Sequence, residues 1–207
     1  MEKFFFIKEF IKNWREVGAI TPSSKFLVKK MLKPIDFKRA KMIVEFGPGS
    51  GCITRELLKK MSSNSKLIVF ESNSDFYQKL KNINDSRMTI FNESAINLKK
   101  RLNEQSPDYI ISGIPLTNLL SKDKKNLLLF SYKILASQGR FIQFQYSLES
   151  LKLLKNIFNE VSIDFTPLNI PPAFVFSCLK NLRSRMDSNH RGRLNPASLA
   201  KMHDRPL

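Results

Sequence analysis

Residues 44–57 read VEFGPGSGCITREL. A short strand-like run, Val44-Glu45-Phe46, breaks into three alternating glycines, Gly47, Gly49 and Gly51, and then into a stretch with helical spacing. Glycines at a strand-to-helix junction let the backbone turn tightly and pass close to a ligand, and the helix start that follows offers free N–H groups. The pattern is GxGxG. A dinucleotide fingerprint would place a glycine where Cys52 stands, and a phosphate-cradling loop would place Gly-Lys-Ser/Thr there; neither is present. Glu71 follows Gly51 by twenty residues, at the end of the apolar run KLIVF, where an acid can accept hydrogen bonds from both hydroxyls of a ribose. The implied ligand is a ribose without a pyrophosphate.

On either side of this loop, strand-like and helix-like stretches alternate. Strands are predicted over 41–46, 66–70, 88–91, 107–112 and 141–146, with helices over 52–61, 74–81, 96–102, 122–135 and 148–158. Strands separated by single helices imply right-handed βαβ units and a parallel sheet. Residues 160–165 and 173–179 then read as two strands with only the loop TPLNIPP between them, predicting an antiparallel hairpin at one sheet edge. The fold class expected is α/β, a Rossmann-like, mostly parallel sheet with helices on both faces.

With 207 residues and 42% hydrophobic content, the chain can bury one sizeable core. No run of eighteen apolar residues occurs, and Lys3, Lys8 and Lys12 interrupt the apolar N-terminus, so neither a membrane span nor a cleavable signal is expected. Cys52 and Cys178 are far apart and lack a partner motif, which argues against a disulfide framework or a metal site. The formal charge of +17 implies an anionic partner, nucleic acid or a lipid surface. It is concentrated at the ends: residues 1–41 hold eleven basic and four acidic residues, and from Lys180 onward there are seven basic and two acidic. The expected organisation is an amphipathic helical segment over 1–32, a ligand-binding domain over 33–180 and a disordered basic tail over 181–207.

These residues resemble the class I S-adenosylmethionine-dependent methyltransferases over roughly 20–179. The likeness rests on Glu45 with the Gly47, Gly49, Gly51 loop, on Glu71, on the turn Asn92-Glu93-Ser94 after the third strand, and on the strand DYIISGIPL. It implies S-adenosyl-L-methionine as cofactor, with the glycine loop along its methionine part, Glu71 on the ribose, and Glu93 and Ser94 at the adenine. Glu93 stands where the family usually has Asp.

Gly113, Ile114, Pro115 and Leu116 end the fourth strand where such an enzyme meets its acceptor. Adenine-N6 methyltransferases resemble one another here in an (Asn/Asp)-Pro-Pro-(Tyr/Phe) motif that bonds and stacks a flipped base. This chain has Ser112 or Gly113 in place of the amide and Leu116 in place of the aromatic. With IPPAFVF and VGAITPSSKFLVKKML, the segment SGIPL is similar to the bacterial phospholipid N-methyltransferases, relatives of the ribosomal RNA adenine dimethylases. The resemblance implies methylation of the amine of phosphatidylethanolamine or a related aminolipid. An RNA adenine-N6 methyltransferase is the alternative.

The N-terminus points the same way. On a helical wheel Phe6, Phe10 and Trp14 fall on one apolar face, with Lys8 and Lys12 opposite, a pattern suited to an anionic membrane surface. The location expected is cytoplasmic, peripheral to the inner face of the membrane. Both histidines, His190 and His203, lie in the tail, so no histidine base is expected. Tyr146 is the candidate for accepting a proton or orienting water, and Tyr146 and Phe174 together for stabilising a growing positive charge.

Overall fold

The computed structural model describes residues 24–102 and 105–181. The apolar runs predicted as strands pair side by side, and the amphipathic stretches between them pack as helices on the two faces. In chain order the elements are α1 (Lys25–Leu32), β1 (Met42–Phe46), α2 (Cys52–Lys60), β2 (Lys66–Phe70), α3 (Ser74–Lys81) and β3 (Met88–Phe91). A 3-10 turn over Ala95–Asn97 leads into α4 (Leu98–Arg101). The chain continues through β4 (Tyr109–Ser112), α5 (Ser121–Ile134), β5 (Arg140–Gln145), α6 (Leu151–Ile157), β6 (Glu160–Thr166) and β7 (Ala173–Leu179).

The seven-stranded sheet has the order β3-β2-β1-β4-β5-β7-β6. All neighbours from β3 to β5 are parallel, while β7 runs antiparallel to both β5 and β6. The expected hairpin is therefore present, with its second strand inserted between β5 and β6. Strand β1 and strand β2 are buried on both faces over nearly their whole length, which is why they read as continuous apolar runs. One core layer is built on Phe46, Phe70, Phe141 and Phe176, with Leu128 from α5 and Leu154 from α6. The opposite layer joins Ile43, Val69 and Ile142 to Leu57 of α2 and to Leu27 and Met31 of α1.

Helix α1 shows why the boundary at residue 32 does not separate two units. Leu27, Val28, Met31 and Leu32 form a helical stripe that is buried against the sheet, and the Ser24 hydroxyl accepts from Leu27 N at 3.2 Å to cap the helix start. Lysines brought this stretch its basic appearance, yet its apolar face belongs to the core of the domain. The membrane-facing residues expected further upstream, Phe6, Lys8, Phe10, Lys12 and Trp14, and the tail from 182 onward lie outside the described residues. Among the described residues no helix is long and apolar enough to cross a membrane.

Candidate functional site

Phe46, Phe70 and Ser112 stand level across β1, β2 and β4, so three strands end on one ledge. The strand order reverses between β1 and β4, and the crevice at such a switch point is where open α/β sheets bind ligands. Gly47, Gly49 and Gly51 follow β1 with φ of 62°, 54° and 78°, the left-handed region that side chains resist. A Cβ on Gly47 would lie 2.8 Å from Ile114 Cγ1, and one on Gly51 would lie 2.6 Å from Leu80 Cδ2. A Cβ on Gly49 would meet nothing within 4 Å, so this glycine faces open space.

Glu71 joins the two cofactor-side loops. Its Oε2 accepts from Gly49 N at 3.0 Å and its Oε1 from Asn73 N at 2.8 Å. Each carboxylate oxygen keeps a further lone pair with which to receive a hydroxyl. The backbone of Glu71 is fixed as well, because Asn92 Nδ2 donates to its carbonyl at 2.9 Å. Asn73 also caps α3, its side chain accepting from Asp75 N and Phe76 N.

Behind the glycine loop, Glu45 is 1% exposed and neither of its oxygens makes a hydrogen bond of ordinary geometry. Burial drives its carboxyl from 4.5 up to about 8; the nearby Thr54 hydroxyl restrains that rise and the charge of Glu71 adds to it. An orphaned acid and a second, buried acid at the edge of a bare-backbone loop fit a cationic nucleoside bearing free ribose hydroxyls. In such a site Glu71 would hold the ribose, Gly47 to Gly51 would flank the amino-acid part, and Glu45 would ionise beneath the bound cation.

Glu93 and Ser94 follow β3 on the same edge. Arg101 donates to Glu93 Oε1 through Nε at 3.0 Å and through Nη2, which holds this carboxyl below its ordinary range. The guanidinium also lies 4.8 Å from the centre of the Phe91 ring. The Ser94 hydroxyl accepts from Ile96 N and caps the 3-10 turn.

On the acceptor side, Gly113 N donates to Phe46 O at 2.8 Å, and Gln143 Nε2 donates to Ile114 O at 2.9 Å. Pro115 precedes a 3-10 turn over Leu116–Asn118. Leu116, expected to face the acceptor, has no exposed surface and is packed into the core, so it anchors this loop from beneath. Tyr146 follows β5, with its ring 5.7 Å from that of Phe144 in a T-shaped pair. Burial raises its pKa, partly offset by the Asn169 side chain, so it stands as a neutral hydroxyl near neutral pH. Phe174 pairs with Gln145 rather than with Tyr146, which puts Tyr146 and Phe174 on opposite faces of the sheet, so they do not form one aromatic cage.

Sequence reasoning missed Thr54, Asn73, Asn92 and Gln143. Asn92 was within reach, being the first residue of the turn that drew notice; Gln143 carries no local signal, since only strand pairing brings it to Ile114.

A switch-point crevice with a GxGxG loop, a ribose-directed acid and an acid beneath defines a class I S-adenosylmethionine-dependent methyltransferase. Residues 22–132 match the family model described as ribosomal RNA adenine dimethylase, and the chain belongs to that family. It is 25% identical over 181 residues to the ornithine lipid N-methyltransferase of Singulisphaera acidiphila, a match covering 84% of this chain and 94% of that protein. It is 29% identical over 102 residues to the ribosomal RNA small subunit methyltransferase A of Mycoplasmopsis synoviae, covering 49% of this chain and 38% of that one. The fold is shared with the N-methyltransferase NodS from Bradyrhizobium japonicum WM9, with a TM-score of 0.62 at 10% identity over 74% of this chain and 94% of that one. A second structure of NodS, in complex with S-adenosyl-L-homocysteine, gives a TM-score of 0.61 at 10% identity, covering 82% and 97% of the two chains. S-adenosyl-L-methionine is the cofactor. Among the described residues no group of three or more His, Cys, Asp or Glu side chains is arranged to hold a metal ion.

Proposed function

We propose that this chain methylates the amine of phosphatidylethanolamine or a related aminolipid at a membrane surface. The observation that carries the reading is the loop beside the glycine turn. Gly113-Ile114-Pro115-Leu116 offers neither an amide to bond an exocyclic amine nor an aromatic ring to stack a flipped base, and Leu116, which stands in the place of that ring, is buried below. A likeness to an ornithine lipid N-methyltransferase that runs over 84% of the chain supports the same reading. In this proposal the protein acts at the inner face of the membrane, with Phe6, Phe10, Trp14, Lys8 and Lys12 as further lipid contacts.

When bound, the cofactor supplies a methyl group on a positively charged sulfur. The chain's own residues do the alignment: Gly47 to Gly51 and Glu71 fix the donor side, while Gly113 and Ile114, braced by Gln143, fix the acceptor side. An aminolipid is an ammonium at neutral pH and must shed a proton before its lone pair attacks. Desolvation at the crevice mouth lowers that pKa, and the Tyr146 hydroxyl orients the amine or a water that carries the proton off.

The family match and the Mycoplasmopsis synoviae relative favour RNA adenine as a second reading. The two separate cleanly. With labelled cofactor, the aminolipid reading predicts label in vesicles containing phosphatidylethanolamine and phosphatidylglycerol; label in RNA and none in lipid overturns it.

A further inference from the structure

We infer that the β6–β7 turn and the outer face of α1 together form a docking surface for an anionic lipid bilayer. This rests on the aminolipid reading for its purpose, though not for its evidence. Leu168 and Ile170 in the turn are 60% and 79% exposed, and Phe26 on α1 is 55% exposed. Phe165, at the end of β6, is also partly exposed, but its ring packs on Phe174 on the face of the sheet opposite α1 and lies outside this surface. Isolated exposed apolar side chains are ordinary, but three brought to one corner by two elements call for a partner.

Asn169 makes these two elements one surface. It is buried, accepts from Ser24 N at 3.2 Å at the start of α1, and donates to Pro171 O at 2.7 Å within the turn. Its side chain also reaches Tyr146. Because β6 runs parallel to β5, with β7 antiparallel between them, the turn emerges at the same edge of the sheet as the glycine loop. A bilayer seated on Leu168, Ile170 and Phe26 thus lies next to the acceptor side of the crevice.

Charge chooses the occupant. Lys25 and Lys29 are exposed on α1 beside Phe26, and Asp164, the acid on the adjoining strand, is already taken by Lys30 and Lys33. Aliphatic tips rimmed with lysine match a headgroup region over acyl chains. A nucleic-acid surface would instead offer arginines to the phosphates, and among the described residues this corner has none.

The test uses the full chain and vesicles of phosphatidylglycerol with phosphatidylcholine, free of any aminolipid, so that substrate recognition plays no part. Wild type should sediment with them. The double variant Leu168→Glu with Ile170→Glu, and separately Phe26→Glu on the other element, should each weaken binding at least tenfold, the scale expected from losing one or two buried apolar side chains. Calorimetric affinity for the cofactor and methylation of a soluble short-chain aminolipid should stay at wild-type values. Unchanged vesicle binding by either folded variant overturns the docking surface. So does a loss of thermal stability in the variants with unchanged vesicle binding, which would mean that the chain's own upstream segment covers the corner. If wild type binds the vesicles and the variants do not, but no aminolipid is ever methylated, the docking surface stands and the substrate reading fails.

Discussion

Gly113 lies so close to Gly47 that a Cβ on Gly113 would be 2.5 Å from the Gly47 carbonyl oxygen. The obstacle is backbone, which cannot swing aside, so the loops after β1 and β4 are locked to each other. Gly113→Ala should destabilise the fold by about 1–3 kcal/mol, the usual range for forced overpacking. Gly49→Ala has open space around it and meets only the left-handed strain at φ 54°, about 1 kcal/mol. The two variants should therefore part company. Urea unfolding should show the larger loss for Gly113→Ala, while calorimetry should show Gly49→Ala losing most of its cofactor affinity. Equal stability losses with intact binding in both would contradict the assigned geometry.

Glu45 links stability to pH. Its carboxyl keeps a proton in the folded state up to about 8, whereas the unfolded chain gives that proton up near 4.5. Between those values the folded state binds more protons, so this group's contribution is greatest at low pH and falls as pH rises, by up to about 1.4 kcal/mol per pH unit. Glu45→Gln removes the titration. Denaturation from pH 5 to 8 should show the variant gaining on wild type as pH rises, and parallel profiles would remove Glu45 as the cause.

A cation in the site favours ionised Glu45, so cofactor binding should release a proton near neutral pH. Titration calorimetry in two buffers of different ionisation enthalpy should report that release for wild type and not for Glu45→Gln. The same heat in both buffers would mean that the acid is not coupled to the ligand.

Glu71→Gln leaves one oxygen for the N–H groups of Gly49 and Asn73, sets an NH2 against the other, and loses the charge that would receive two hydroxyls. Hydrogen bonds to a charged group contribute about 1.5–3 kcal/mol, so cofactor affinity should fall roughly ten- to a hundredfold, with a lowered unfolding midpoint from the N–H left facing a donor. Retained affinity would place the ribose elsewhere.

Tyr146→Phe removes only a hydroxyl. If that group orients the acceptor, kcat should drop while KM for the cofactor holds steady; unchanged turnover would make it a packing residue.

The cofactor half of the molecule was legible from sequence because its signals are local. Glycine spacing, an acid at a strand end and the βαβ rhythm all sit within forty residues of one another, and the ends of α3 and β7 fall where periodicity put them. The acceptor half was less so. The insertion of β7 between β5 and β6 depends on long-range pairing that no window of sequence contains. That same pairing sends Phe174 and Tyr146 to opposite faces, and one residue of register decides it. That α1 belongs to the domain core was hidden by its composition, because the basic and apolar residues of its sequence also suit a membrane-facing segment.

In the proposed reading, the loops after β1 to β3 carry the donor pocket, whereas β4 to β7 and α1 shape the acceptor rim. The two halves meet along the β1–β4 pairing, at whose end Gly47 and Gly113 stand in close contact. A changed rim can thus accompany an unchanged pocket only where the Gly47–Gly113 contact stays free of side chains.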